Sequence, residues 1–418
     1  MSKKKDILIV GGGIVGLCCA YYLMESGHRV RIVDAGGLDA GCSYGNAGML
    51  AASHVVPLAA PGMVATGLRM MWNPESPFYV RPRLSRRLWR WGRLFMKASS
   101  EKRMRAAMPV LNAVGQASRR AWDGLATQDG MACDFHGRGL LCLFQTEKGG
   151  SGERHHMHLA HELGVQASEW TAQQVAERNP GLDFNVNGAV FYPADAHLNP
   201  SAFMQQMYAQ LKAVGLQTFP HTSISHIESN AHKITQIHAE NQSFKADEII
   251  IAAGAWSSEL ARKIGLRLPM MSGRGYSLTH PTPPQQLHIP SIFSEAKVAV
   301  TPLADTLRFA GTMEIVDPEA PLNPRRVIGI QKSIPRYFPA WSAVKWQNQT
   351  AWNGLRPCSP DGLPYIGRCK NLKNLYFATG HAMLGISLAP VTGQMIASLI
   401  DGKPSALQHD LLHPERYA

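Results

Sequence analysis

A chain of 418 residues, 45% hydrophobic and 17% charged, is globular in composition and too long for one ordinary core, so two domains are expected. Seven cysteines with no C-x-x-C spacing argue against both a disulfide framework and a zinc site. The net charge of +12 asks for a partner or a location; Lys3-Lys4-Lys5 leads into an apolar run too short for a signal-peptide core or a membrane span, and the expected compartment is the cytoplasm.

Residues 6–10 are a short apolar, β-branched run that reads as a buried parallel strand. Gly11-Gly12-Gly13-Ile14-Val15-Gly16 follows, and then a helix to about Ser26 that Gly27 ends. Gly11 permits a tight turn, Gly13 lets backbone N–H groups approach a pyrophosphate, and Gly16 allows close helix–strand packing. Residues 29–33 supply a second strand with Asp34 at its end, where an acid accepts hydrogen bonds from a ribose diol. The spacing predicts a Rossmann-like dinucleotide site and leaves NAD and FAD open. Cys18 and Cys19 fall inside the helix as packing residues.

A loop of small residues comes next, Cys42-Ser43-Tyr44-Gly45-Asn46-Ala47-Gly48-Met49, where a flat ligand can approach backbone. Residues 84–128 read as mainly helical. Between Arg81 and Arg105 they carry ten Lys and Arg residues, interleaved with Trp89, Trp91 and Phe95, against the single acid Glu101. Such a stretch suits an anionic bilayer surface or a phosphate backbone, or is a solvated helix with its aromatics in the core. His155, His156, His158 and His161 lie on a later helix without the carboxylate or cysteine neighbours of a metal site, and no metal is expected.

Strand-like runs near 216–228, 233–240 and 246–252 follow; the last returns the chain beside the first strand and ends in Gly254-Ala255-Trp256. From 268 to about 309, strands separated by proline-rich turns suggest part of an antiparallel sheet in a second domain that the chain enters more than once. The run from Trp352 to Gly367 leads through a strand at 374–378 to Thr379-Gly380-His381-Ala382-Met383-Leu384-Gly385-Ile386-Ser387, then a helix from about Leu388. Its N-terminus would stabilise negative charge on a reduced isoalloxazine, which favours FAD over NAD.

These regions together resemble the D-amino-acid dehydrogenase and glycine oxidase branch of the D-amino-acid oxidase superfamily, over nearly the whole chain. The most specific pieces are residues 9–16, 43–48, Gly275-Tyr276-Ser277, 352–367, Thr379-Gly380-His381 and Leu384-Gly385. The resemblance implies an α/β fold: a Rossmann-like FAD-binding domain (1–80, 198–262, 348–418) and a discontinuous substrate domain on a mixed, largely antiparallel sheet (81–197, 263–347). It implies non-covalent FAD, with Gly11, Gly13, Ile14 and Val15 at the pyrophosphate, Asp34 at the ribose and Ile224 near adenine. Ser43, Ala47, Gly48 and Met49 would line phosphate, ribityl or flavin, Gly254 and Trp256 follow the returning strand, and Gly385 with Ile386 face the flavin C2=O end.

Arg356 matches the arginine that anchors the substrate carboxylate. Met383 stands where glycine oxidases carry a second arginine, which points to a more apolar side-chain pocket. Gly354 lies near the position of the flavin-attaching cysteine of sarcosine oxidases. Tyr276 is placed to donate to the other carboxylate oxygen, and His381 and His54 are polar residues in flavin-facing stretches. The expected reaction is oxidative deamination of D-amino acids to 2-oxo acids and ammonia, by hydride transfer from Cα to flavin N5, with electrons passing to a quinone-type acceptor. The alternatives are a secondary amine such as sarcosine or D-hydroxyproline, or glycine, as substrate, and less favoured a tRNA-modifying flavoenzyme or RNA-binding protein. No nucleic acid is expected as partner; peripheral contact with the inner face of the plasma membrane is.

Overall fold

In a computed structural model, described for residues 3–417 apart from 40, 241, 347, 348 and 404, the first strand, Asp6–Val10, lies inside a six-stranded sheet. The order is Tyr365–Arg368, Leu375–Thr379, Glu248–Ile251, Asp6–Val10, Arg29–Val33, Gln217–Phe219. All neighbours run parallel except Tyr365–Arg368, which turns back along Leu375–Thr379. The central strands are buried on both faces, which is why Ile7-Leu8-Ile9-Val10 and Ile249-Ile250-Ile251 read as continuous apolar runs rather than as alternation. The returning strand does lie beside the first, with Val10 opposite Ile251.

A nine-stranded sheet forms the second half. Its order is Trp352–Cys358, Met271–His280, Thr306–Val316, Val298–Leu303, Ser291–Phe293, Leu140–Phe144, Gly188–Tyr192, Ser168–Thr171, with Phe78–Val80 added alongside Thr306–Val316. The expected boundary residue 348 lies outside the described residues, but the segment after it departs from expectation. Trp352–Cys358 pairs with Met271–His280 and so belongs to this sheet, not to the nucleotide-side sheet that its chain neighbours join. Phe78–Val80, expected with the first domain, also hydrogen-bonds here.

The helices Ile14–Glu25 and Gly385–Ile400 pack against each other under the first sheet. The crossing is close because Gly393 has no side chain: a Cβ there would stand 2.5 Å from the Cys18 carbonyl oxygen. Gly385–Ile400 begins three residues before the expected Leu388. The tail is fixed by Arg416, whose guanidinium grips both Asp361 oxygens at 2.8 and 2.9 Å and lies 3.9 Å from the Tyr365 ring centroid.

Candidate active site

A cavity of about 1380 Å³ runs between the two sheets, from Gly11, Asp34 and Ile224 at one end to Arg356 and beyond at the other. Its first end is made largely of backbone. Gly11 holds φ +111°, and a Cβ there would sit 2.5 Å from the Ala252 carbonyl oxygen. The Ile14–Glu25 helix starts at Gly13 with no capping side chain of its own, and Ser43 Oγ accepts from the Ile14 N–H at 3.0 Å. Positive potential and N–H groups therefore face the cavity at the glycine turn. Asp34 accepts from Gly12 N at 2.6 Å and Gly36 N at 2.8 Å, so its carboxylate braces the turn while lining the cavity.

The loop 42–49 crosses the middle. Asn46 accepts from Gly48 N at 2.7 Å and Gly48 adopts φ +74°. Ser277 of the second sheet donates to Gly45 O at 2.8 Å, and Arg308 donates to Asn46 O at 2.8 Å. The Ser of Gly275-Tyr276-Ser277 thus ties the sheet to the loop. The Gly385–Ile400 helix starts uncapped by its N-cap residue Leu384, with Gly385, Ile386 and Ser387 at the wall. Ser387 Oγ accepts from Ala51 N at 3.0 Å, locking this helix start to the loop.

Arg356 is half-buried in the cavity wall, and desolvation lowers the pKa of its guanidinium. Its Nη1 donates to Thr312 O at 2.7 Å, and among the described residues it forms no ion pair. Room for the guanidinium comes from Gly275, where any Cβ would overlap it. The Thr312 carbonyl is aimed by a bulge: Arg274 pairs with Glu314 but Tyr276 with Gly311, and Thr312 takes φ +69°. A planar donor fork with one donor used and no carboxylate partner is a receptor for an anionic, planar group.

All the residues expected at the cofactor line the cavity except Gly16. Gly16 is buried, and a Cβ on it would overlap Gly11 O, so it serves the turn by packing. Tyr276 does not meet the expectation of a carboxylate donor. Its hydroxyl donates to Glu314 Oε2 at 3.0 Å and accepts from Asn323 N at 3.1 Å. The reason is strand parity: Gly275 and Ser277 face the cavity side, so Tyr276 between them contributes to the wall while its hydroxyl is carried to Glu314 and Asn323.

His381 is buried with its Nε2 against Thr392 Oγ1 at 2.9 Å. That hydroxyl donates to Leu388 O at 2.8 Å, so the imidazole is the donor in the pair. Burial holds its pKa down at about 3, so the residue lines the cavity as a neutral imidazole whose Nε2 is engaged by the helix. His54 does line the cavity; burial keeps it neutral down to about 4, and its Nδ1 is buried without a hydrogen-bond partner among the described residues.

Two contributors escaped the sequence reading. The Trp352 indole covers Gly45 and Gly354, filling the space a side chain at either would need. The helices Met63–Met70 and Arg86–Ala98 form the mouth of the cavity, through Met63, Val64, Leu68, Leu88, Trp91 and Met96. Trp91 is buried and donates to Cys358 O at 2.9 Å, whereas Trp89 is 69% exposed beneath Arg93. The basic helix is therefore split, one aromatic serving the core and one facing out. His158 and His161 stay apart, with ring centroids 6.5 Å from each other, and the described residues hold no group of three metal-ligating side chains.

An elongated cavity with a side-chain-free turn and uncapped helix start at one end, and a second uncapped helix start near the middle, fits an extended dinucleotide whose far end carries negative charge when reduced. Residues 6–399 match the model of a family described as FAD dependent oxidoreductase (DAO). Among curated proteins, the chain is 32% identical over 428 residues to a D-amino acid dehydrogenase of Granulibacter bethesdensis, covering 99% of each. It is 28% identical over 397 residues to one of Helicobacter pylori, covering 95% of each. Among solved structures, the fold is similar to glycine oxidase from Geobacillus kaustophilus, with a TM-score of 0.79 and 21% identity over 99% of both chains. Glycine oxidase from Bacillus cereus is similar at 0.76 and 23%, covering 98% of this chain and 97% of that one.

Proposed function

The chain belongs to the FAD dependent oxidoreductase family, and from that premise we propose that it is a dehydrogenase of D-amino acids, giving 2-oxo acids and ammonia and using non-covalent FAD. Arg356 carries the reading: a half-buried guanidinium facing the cavity, with one backbone partner and no carboxylate among the described residues, is shaped to hold the α-carboxylate of an amino acid. Gly11, Gly13, Ile14, Val15 and Asp34 would hold the adenosine diphosphate portion, and Ala47, Gly48, Met49, Gly385 and Ile386 the ring system. FAD supplies the two-electron acceptor that the protein's own side chains lack. The protein pins the carboxylate, keeps the reacting carbon at a fixed height under the second sheet, and excludes water with apolar walls.

Trp352 fills the space at Gly354, consistent with a flavin held without a covalent bond from that position. Anaerobic mixing of the purified protein with D-amino acids, L-amino acids and N-methyl amino acids tests the reading. D-amino acids should bleach the flavin within the mixing experiment. Bleaching by N-methyl amino acids alone, or by no amino acid, rejects it.

The electron acceptor is proposed to be a quinone met at the inner face of the plasma membrane. Support comes from the helices Met63–Met70 and Arg86–Ala98 and the residues flanking them, where Leu68, Trp72, Leu84, Trp89 and Met96 are 55% exposed or more and Leu68 and Met96 line the cavity. Among the described residues, the ion pairs of segment 81–105 involve Arg83 and Arg105 and leave most of its cations facing solvent. Apolar side chains ringed by cations suit an anionic lipid surface; no helix of the described residues is long and apolar enough to cross it. Sedimentation with anionic but not neutral vesicles at low salt, and faster reoxidation by a soluble quinone than by oxygen, are the expected results.

A further inference from the structure

We propose that the far end of the cavity is a subsite for a cationic side chain, received by Glu153, so that basic amino acids are favoured substrates. The inference rests on the amino-acid reading above and deepens it. The second sheet carries one row of residues in register across its cavity face. Ser277 stands opposite Ala310, Ala310 opposite Ala299, Ala299 opposite Ile292, and Ile292 opposite Cys142. All five line the cavity, and the two alanines leave a trough between the larger groups at its ends. Arg356 closes the near end, with its guanidinium against Gly275.

Glu153, on the helix Glu147–His161, closes the far end. Its side chain is 9% exposed, and His156 and Ser294 are the polar side chains beside its carboxylate. The only ionisable nitrogen within 4.0 Å among the described residues is His156 Nδ1, at 3.9 Å. Burial opposes its ionisation, yet His156, Lys297 and Ser294 around it hold the carboxyl down at about 2, so the group is an anion at neutral pH. A buried anion with no Lys or Arg nitrogen within 4.0 Å among the described residues is costly to keep, and the wall it lines is where a ligand's cation would arrive. Lys297 is exposed at the turn between Ser291–Phe293 and Val298–Leu303, with φ +53°, and it also lines the cavity, where its charge competes for Glu153.

The distance suits a long side chain. From Met271–His280 to Ser291–Phe293 there are three strand steps, about 14 Å at the usual spacing of roughly 4.8 Å. A lysine or arginine chain held at both ends by hydrogen bonds of about 2.9 Å spans a comparable length. An alanine side chain would reach none of the far-end groups.

The test compares isosteres that differ only in the terminal charge. For the FAD-loaded enzyme, kcat/KM is measured for D-arginine against D-citrulline and for D-lysine against D-norleucine, with D-alanine as a reference. The cationic member of each pair should lead by tenfold or more. Glu153→Gln should bring both ratios to within about twofold of one. Lys297→Met, at an exposed position, should move them the other way, raising them several-fold by removing a competing cation. Ratios near one in the native enzyme, ratios unmoved by Glu153→Gln, or a fall in Lys297→Met each overturn the subsite. If D-alanine and every other amino acid leave the flavin oxidised, it is the broader functional reading that fails.

Discussion

At the end of the cavity near Gly11, ligand-facing groups are backbone N–H and the absence of side chains; at the Arg356 end they are side chains projected from a sheet. The first kind of site is fixed by where a Cβ cannot be, so it is written in residue types at fixed intervals. The second depends on which face of a strand a residue occupies, and a single bulge or glycine reassigns it. Gly11 and Tyr276 show the contrast: both stand in specific motifs, and Gly11 makes the tight turn its motif suggests, whereas the Tyr276 hydroxyl is held by Glu314 and Asn323.

The sharpest test of that contrast is Arg356→Lys. The charge stays, but the planar fork is lost, and transition-state positioning should weaken by about 2–4 kcal/mol, a fall in kcat/KM of roughly 30- to 900-fold. FAD content should stay near normal, because the residue lies at the opposite end from Gly11. Native kinetics in this variant would remove the residue from the site. Gly11→Ala should do the reverse. A Cβ 2.5 Å from Ala252 O and an unfavourable φ of +111° together cost on the order of 3 kcal/mol. The protein should then purify largely without flavin and with a lower Tm; full occupancy with an unchanged Tm would break the backbone half of the comparison. The smallest effect is expected from Tyr276→Phe, which removes the hydroxyl that donates to Glu314 Oε2 and accepts from Asn323 N. Stability should drop by about 1 kcal/mol, while kcat/KM stays within twofold. A large rise in KM for the best amino acid would return Tyr276 to the substrate.

The first sheet was readable because its signals are local: an apolar run, the glycines, Asp34 and the ending of 246–256 in small residues. The placement of Trp352–Cys358 in the second sheet was not, since it depends on pairing with a strand some eighty residues earlier. Arg356 was readable from its motif, but the Thr312 carbonyl that orients it was not, because a bulge at 312–313 has no residue signature here. The charge of segment 81–105 was visible, whereas the division between buried Trp91 and exposed Trp89 emerged only from the helix's contact with Cys358. Glu153 could have been found only by locating the trough, because it sits in a helix otherwise rich in histidine and glycine.

The packing of Ile14–Glu25 against Gly385–Ile400 has a consequence for how the chain is made. The first helix leaves the ribosome more than 350 residues before its partner, an interval of roughly twenty seconds to a minute at about 5–20 residues per second. Throughout that interval Leu17, Cys18, Cys19 and Leu23, all fully buried in the finished protein, lack the surface that Gly385–Ile400 finally gives the helix. The second parallel neighbour of Asp6–Val10, on the side away from Arg29–Val33, arrives only with Glu248–Ile251, so the nascent chain carries an apolar helix and an unpaired strand edge together. Yield in the cell should therefore respond more to chaperone supply and translation rate than to changes at the cavity.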